Sequence, residues 1–239
     1  MNIRFSGNVV LVAGGTGGLG RAVSLAFLEE GATVIVTYRQ QKEFDALKTE
    51  AKANASALSG HQLEVTDETA VRQLFDQILT EYKHLDALVN TVGGYAGGIN
   101  LWELEPEVFD RMFALNLRSG YALSRAAIPF MLKQKHGAIV NVAAKAALDH
   151  GAGASAYAAS KAAALALMDS LAAEVKGTGV RVDSILPSII DTEANRKAMP
   201  NADFAKWPKP EEIARVVLFL CSDDAKAIHG AAVPVYGDS

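Results

Sequence analysis

Short runs of Val, Ile and Leu alternate with amphipathic stretches along almost the whole chain. The apolar runs are "VVLVA" (9–13), "TVIVTY" (33–38), "HQLEV" (61–65), "ALVNT" (87–91), "AIVNVA" (138–143), "VRVDSIL" (180–186) and "AAVPVY" (231–236). Most are β-branched and continuously apolar, as strands buried on both faces must be. Helical periodicity fills the intervals 18–30, 43–55, 68–83, 106–134, 154–176 and 210–222. Repeated alternation of strand and helix predicts an α/β domain, a seven-stranded parallel sheet with helices on both faces. The 23 residues from Pro187 to Lys209 lack a clear core pattern. A segment that long is usually functional, which predicts a substrate lid at about 187–209.

The first strand runs into a glycine-rich turn and then an amphipathic helix, "VVLVAGGTGGLGRAVSLAFLEEG". Gly14, Gly18 and Gly20 permit a tight turn and let a pyrophosphate approach the helix N-terminus, where free N–H groups favour anions. Thr16, Gly17 and Leu19 lie between them and line the same candidate site. A glycine pattern alone is weak, but this one sits in a strand–turn–helix unit, the context of a Rossmann-type doubly wound fold. The second strand ends at Tyr38 and Arg39, where an acidic side chain would hold a ribose 2′-hydroxyl. A guanidinium there suits a 2′-phosphate, so NADP(H) is expected, with NAD(H) as the alternative. Glu64 and Val65 are expected near the adenine. Asn90, Thr91 and Gly93, at the end of the fourth strand, are expected to present backbone to the cofactor.

"YAASK" places Tyr157 and Lys161 four residues apart, one turn along the same helix face. Tyr38 and Lys42 share that spacing but fall where a strand passes into a loop. Taken in order, "AGGTGGLG", "NTVGG", Asn116 in "FALNLRSG" and "YAASK" resemble the classical short-chain dehydrogenases/reductases over nearly the whole of residues 1–239, as a single domain. The resemblance implies that Tyr157 is the general acid/base. It implies that Lys161 binds the nicotinamide ribose and lowers the tyrosine pKa, and that Asn116 helps hold a relay water. It also implies that Pro187, Ile189 and Thr192 pass over the nicotinamide carboxamide. A free phenol titrates near ~10, and a neighbouring positive charge favours its anion.

The family's usual substrate-binding serine, thirteen residues before the tyrosine, is replaced by Ala144. Losing one donor to a developing oxyanion can cost roughly 10²–10³ in rate. Either the substrate does not need that bond, or another donor such as Lys145 serves, or the protein is a poor catalyst. "VGGYAGG", "AAKAALD" and "IDTEANRKAMPNADFAKW" resemble the dihydropteridine reductase branch of the family, which also lacks the serine; that implies a quinonoid dihydropterin as one substrate. Tyr38, where that branch carries an acid, departs from it. The alternatives are a 3-oxoacyl or ketone reductase and a non-catalytic NADP(H)-binding sensor. Tyr95, Trp102, Met199 and Trp207 stand in loops at the expected site edge, as substrate contacts or loop packing.

A net charge of −4 and a pI near 5.8 argue against nucleic acid as a partner. The single cysteine, Cys221, leaves no internal disulfide and suggests a cytoplasmic location. No apolar run reaches a membrane span, so the expected partners are a small-molecule substrate and further copies of the chain. The Ala/Leu faces of 106–134 and 154–176 suggest a homodimer or homotetramer. The five histidines show no metal-ligand spacing.

Overall fold

A computed structural model describes residues 4–239. Its strands are β1 (Val9–Ala13), β2 (Thr33–Tyr38), β3 (Leu58–Gln62), β4 (Ala87–Asn90), β5 (Gly137–Val142), β6 (Val180–Pro187) and β7 (Ala232–Val235). All pair in parallel in the order β3-β2-β1-β4-β5-β6-β7. The order reverses between β1 and β4, and ligands bind outside the carboxyl ends of the strands at such a reversal. Every residue of β1, β4 and β5 is buried, which accounts for their unalternated apolar sequences.

The helices are α1 (Gly18–Glu29), α2 (Gln41–Glu50), α3 (Glu68–Tyr82), α4 (Pro106–Phe113), α5 (Ser119–Gln134), α6 (Ser155–Glu174), α7 (Glu193–Ala198) and α8 (Pro210–Cys221). Phe27 of α1, Leu47 of α2 and Ile213 and Val217 of α8 pack with Val10, Val34 and Val140 on one face of the sheet. Phe75 and Ile78 of α3, Leu123 and Met131 of α5 and Met168 of α6 pack with Leu11, Leu88 and Ile139 on the other. Local chemistry marks several helix starts. Asp67 accepts from the N–H groups of Thr69 and Ala70 to cap α3, while Pro106 and Pro210 open α4 and α8.

Three expectations are corrected. The third strand spans 58–62 rather than 61–65. Its partner β2 stops at Tyr38, which pairs with Gln62; one more bond, from Leu63 N–H to the Tyr38 carbonyl (3.2 Å), ends the ladder before Val65. The single helix expected over 106–134 is interrupted by a π-helical turn, Ala114–Arg118, between α4 and α5. The segment 187–209 is not structureless. It carries α7 and a 3₁₀ turn at Phe204–Lys206, with the Arg196 guanidinium bidentate on Asp191 and 4.9 Å from the Phe204 ring, and Trp207 buried.

Candidate active site

The glycine-rich turn is built by the backbone. Gly14 has φ +73°, its N–H donates to the Thr37 hydroxyl (2.9 Å), and its carbonyl accepts from Gly17 N–H (3.0 Å). A Cβ on Gly20 would lie 2.1 Å from that carbonyl, so only glycine allows α1 to start this close to β1. Gly17 caps α1 without a side-chain bond, and the first turn carries no acidic residue. The N–H groups opening α1 are therefore available to an anion. Thr192 overhangs this turn: a Cβ on Gly18 would stand 2.9 Å from its methyl group. Gly18 thus stands against Thr192 at the start of α1.

Arg39 is exposed just beyond β2 and makes no ion pair among the described residues. Tyr38 faces inward instead. It is buried, stacked on Phe44 at 4.9 Å, and donates to Gln41 (2.6 Å), which leaves only its backbone for a ligand. Glu64 is exposed and Val65 buried past the end of β3. At the end of β4, Thr91 donates its hydroxyl to the Ala13 carbonyl (2.7 Å), bridging the sheet reversal. Asn90 is buried and donates to Asn141 (2.9 Å), so its side chain links β4 to β5. Gly93 is exposed; a Cβ there would lie 2.9 Å from Asn116 Oδ1 and 3.2 Å from Lys161 Nζ. Pro187 closes β6 in the interior, and Ile189 is exposed just beyond it.

Tyr157 and Lys161 lie in the first two turns of α6. Lys161 is buried, donates to the Val142 carbonyl (2.9 Å), and has its pKa lowered by burial to about 8. Tyr157 departs from expectation: burial, and secondarily the neighbouring Tyr95, raise its phenol to about 12. The Lys161 ammonium, which donates to the Val142 carbonyl, does not offset this rise. The Tyr95 and Tyr157 rings meet edge-on, 4.9 Å apart at 75°.

Asn116 sits in the π turn and is buried. Its amide accepts from Gly94 N–H (2.9 Å) and donates to Gly94 O (3.0 Å) and the Ser160 hydroxyl (3.0 Å). Both of its N–H groups are occupied, so it anchors the β4 loop. Ser160 in turn donates to the Tyr157 carbonyl (2.8 Å). The sequence did not single out Ser160, whose only sign was its place beside Lys161. Ala144 is buried, extended backbone. Lys145 donates to the Ser239 carbonyl (3.3 Å) and lies 5.2 Å from the Tyr236 ring. Among the described residues no cluster could hold a metal ion, and no helix is long and apolar enough to cross a membrane.

The short chain dehydrogenase family model matches residues 8–203. The chain belongs to this family. As a short-chain dehydrogenase it is an oxidoreductase, and its relatives align end to end. A 3-oxoacyl-acyl-carrier-protein reductase of Thermotoga maritima is 30% identical over 243 residues, 98% of each chain. A D-threitol dehydrogenase of Mycolicibacterium smegmatis is 33% identical over 99% of this chain and 94% of its own. Among solved structures, ElxO with NADP bound superposes with a TM-score of 0.91 at 26% identity, over 96% of this chain and 97% of its own. A short-chain dehydrogenase of Shigella flexneri complexed with NADP gives 0.90 at 25% identity, over 98% and 99%.

Proposed function

We propose that the short-chain dehydrogenase is an NADP(H)-dependent reductase of a small carbonyl compound, with Tyr157 as proton donor. One observation carries this reading: a phenol and a buried ammonium lie one turn apart at the carboxyl edge of the sheet, beside a glycine cradle fit for a dinucleotide. When bound, NADPH supplies a hydride to the substrate carbon. Tyr157 is neutral well above pH 7 and gives its proton to the substrate oxygen, so the C=O bond becomes an alcohol as NADPH becomes NADP⁺. Lys161 holds a positive charge below that phenol and is the group to meet the nicotinamide ribose. Asn116 positions Gly93 and Gly94. Among the carboxamide-side candidates, Pro187 and Ile189 contribute shape, and Thr192 closes over the turn.

The NADP-bound neighbours and the unpaired Arg39 support NADP(H) over NAD(H). Arg39→Ala should weaken NADPH binding at least ~10-fold while leaving NADH nearly unaffected, as measured by calorimetric titration. Equal loss of both cofactors would contradict that assignment. The second reading, reduction of a 3-oxoacyl thioester, is supported by the names of several relatives. The relatives quoted are named for 3-oxoacyl and polyol substrates, and none for a pterin. Self-association through α4, α5 and α6 is supported by the exposure of Phe109 and Tyr121 and by a groove lined with Phe113, Leu117 and Leu167.

A further inference from the structure

We propose that this site selects a neutral, planar, conjugated ketone over its anionic analogues, and that Tyr95 is the specificity-determining side chain; the inference rests on the reductase reading above. Tyr95 is 69% exposed, Trp102 82%, Leu148 59% and Ile189 41%. All four stand on loops leaving the carboxyl ends of β4, β5 and β6, the edge that Tyr157 occupies. Other large exposed apolar side chains, such as Phe109, Tyr121 and Phe219, are instead on helices. These loops are joined: Ile99 N–H donates to the Gly153 carbonyl (3.2 Å), tying the segment after β4 to the one leading into α6. Of these, Tyr95 meets Tyr157 directly, edge-on at 4.9 Å.

Several charges around this apolar rim are already paired. Arg196 is bidentate on Asp191, and Lys197 and Lys206 pair with Glu193 and Asp203. Lys145 donates to the Ser239 carbonyl (3.3 Å), and Lys209 makes no ion pair among the described residues. A carboxylate or phosphate entering between Tyr95, Trp102, Leu148 and Ile189 would lose water against apolar side chains, which is costly. An aromatic or conjugated plane would gain ring contact with Tyr95. Ala144 leaves Tyr157 as the donor to the substrate oxygen, so a carbonyl made electron-poor by an adjacent electron-withdrawing carbonyl suits the site best. The electron balance is that of carbonyl reduction: hydride from NADPH forms the C–H bond, the C=O π pair moves to oxygen, and the Tyr157 proton forms the O–H bond.

Two probes of matched size test this: 1-phenylpropane-1,2-dione, which is neutral, and benzoylformate, in which a carboxylate replaces the acetyl group. Turnover is followed at 340 nm with NADPH, and binding by equilibrium dialysis with NADP⁺ present. The dione should be favoured at least ~10-fold in both kcat/KM and Kd. Tyr95→Ala should raise the dione KM roughly 3–10-fold with a smaller change in kcat, and Tyr95→Phe, which keeps the ring, should restore it. Equal or better use of benzoylformate, or an unchanged KM in Tyr95→Ala, overturns the proposal. If the dione binds selectively but neither compound is reduced, the specificity stands and the reductase reading falls.

Discussion

Lys161 is held in a state that free lysine would avoid. Its pKa falls from 10.5 to about 8 because the ammonium is buried with the Val142 carbonyl as its hydrogen-bond acceptor. At ~1.4 kcal/mol per pH unit this corresponds to on the order of 3 kcal/mol of destabilisation near neutral pH. The sign follows from linkage: a lysine with a depressed folded pKa is more readily protonated in the unfolded chain. Stability therefore rises as pH climbs from about 8 toward 10.5. Lys161→Met removes this dependence. Relative to wild type, its thermal stability should be greatest near pH 7, and the difference should shrink by about 2–3 kcal/mol near pH 10. A gap constant with pH would mean that burial leaves the Lys161 pKa at its unfolded value in the folded protein. Tyr157 shows the limit of reading residues from a motif. The spacing to Lys161 was legible, but the upward direction of the phenol's pKa was not, because it depends on where the ammonium points and on the ring of Tyr95.

Most elements were legible because parallel strands and their covering helices are set by continuous and 3.6-residue apolar patterns. The misplaced element is the edge strand β3. With a neighbour on one side only, its extent is set by where β2 ends, and "LSGHQ" carries little apolar signal of its own. Gly60 in that strand leaves room for the Phe44 ring of α2, whose atoms would stand 2.4 Å from a Cβ there. The π turn at 114–118 escaped notice because its apolar residues continue the helical pattern. Wide turns of this kind are rare and often occur at functional sites. Here the turn carries Asn116 to Gly94 and Ser160. Asn116→Ala should cost about 1–3 kcal/mol in chemical denaturation, because the Gly94 and Ser160 partners lose their bonds. A change under about 0.5 kcal/mol would show that water replaces the amide without loss.

At the scale of the whole molecule, the reversal of strand order between β1 and β4 brings together segments far apart in sequence. The glycine turn, the β4 loop, the start of α6 and the segment after β6 meet there, with Thr192 against Gly18 and Lys161 beside Gly93. That convergence was legible from motif order, whereas the packing of segment 187–209 was not, since Arg196, Phe204 and Trp207 stabilise it through contacts with no sequence period. The unpartnered apolar residues of α4 and α5 lead to a prediction of their own: in sedimentation velocity the chain should migrate as a dimer or larger, not as a 25.3 kDa monomer.

The account depends most on Tyr157 as proton donor. Single-turnover oxidation of bound NADPH by a reactive ketone near pH 7, followed at 340 nm, tests it directly in wild type and Tyr157→Phe. The phenylalanine variant should bind NADPH as tightly as wild type and transfer hydride about 10²–10⁴-fold more slowly. Hydride transfer at the wild-type rate in that variant would contradict the account.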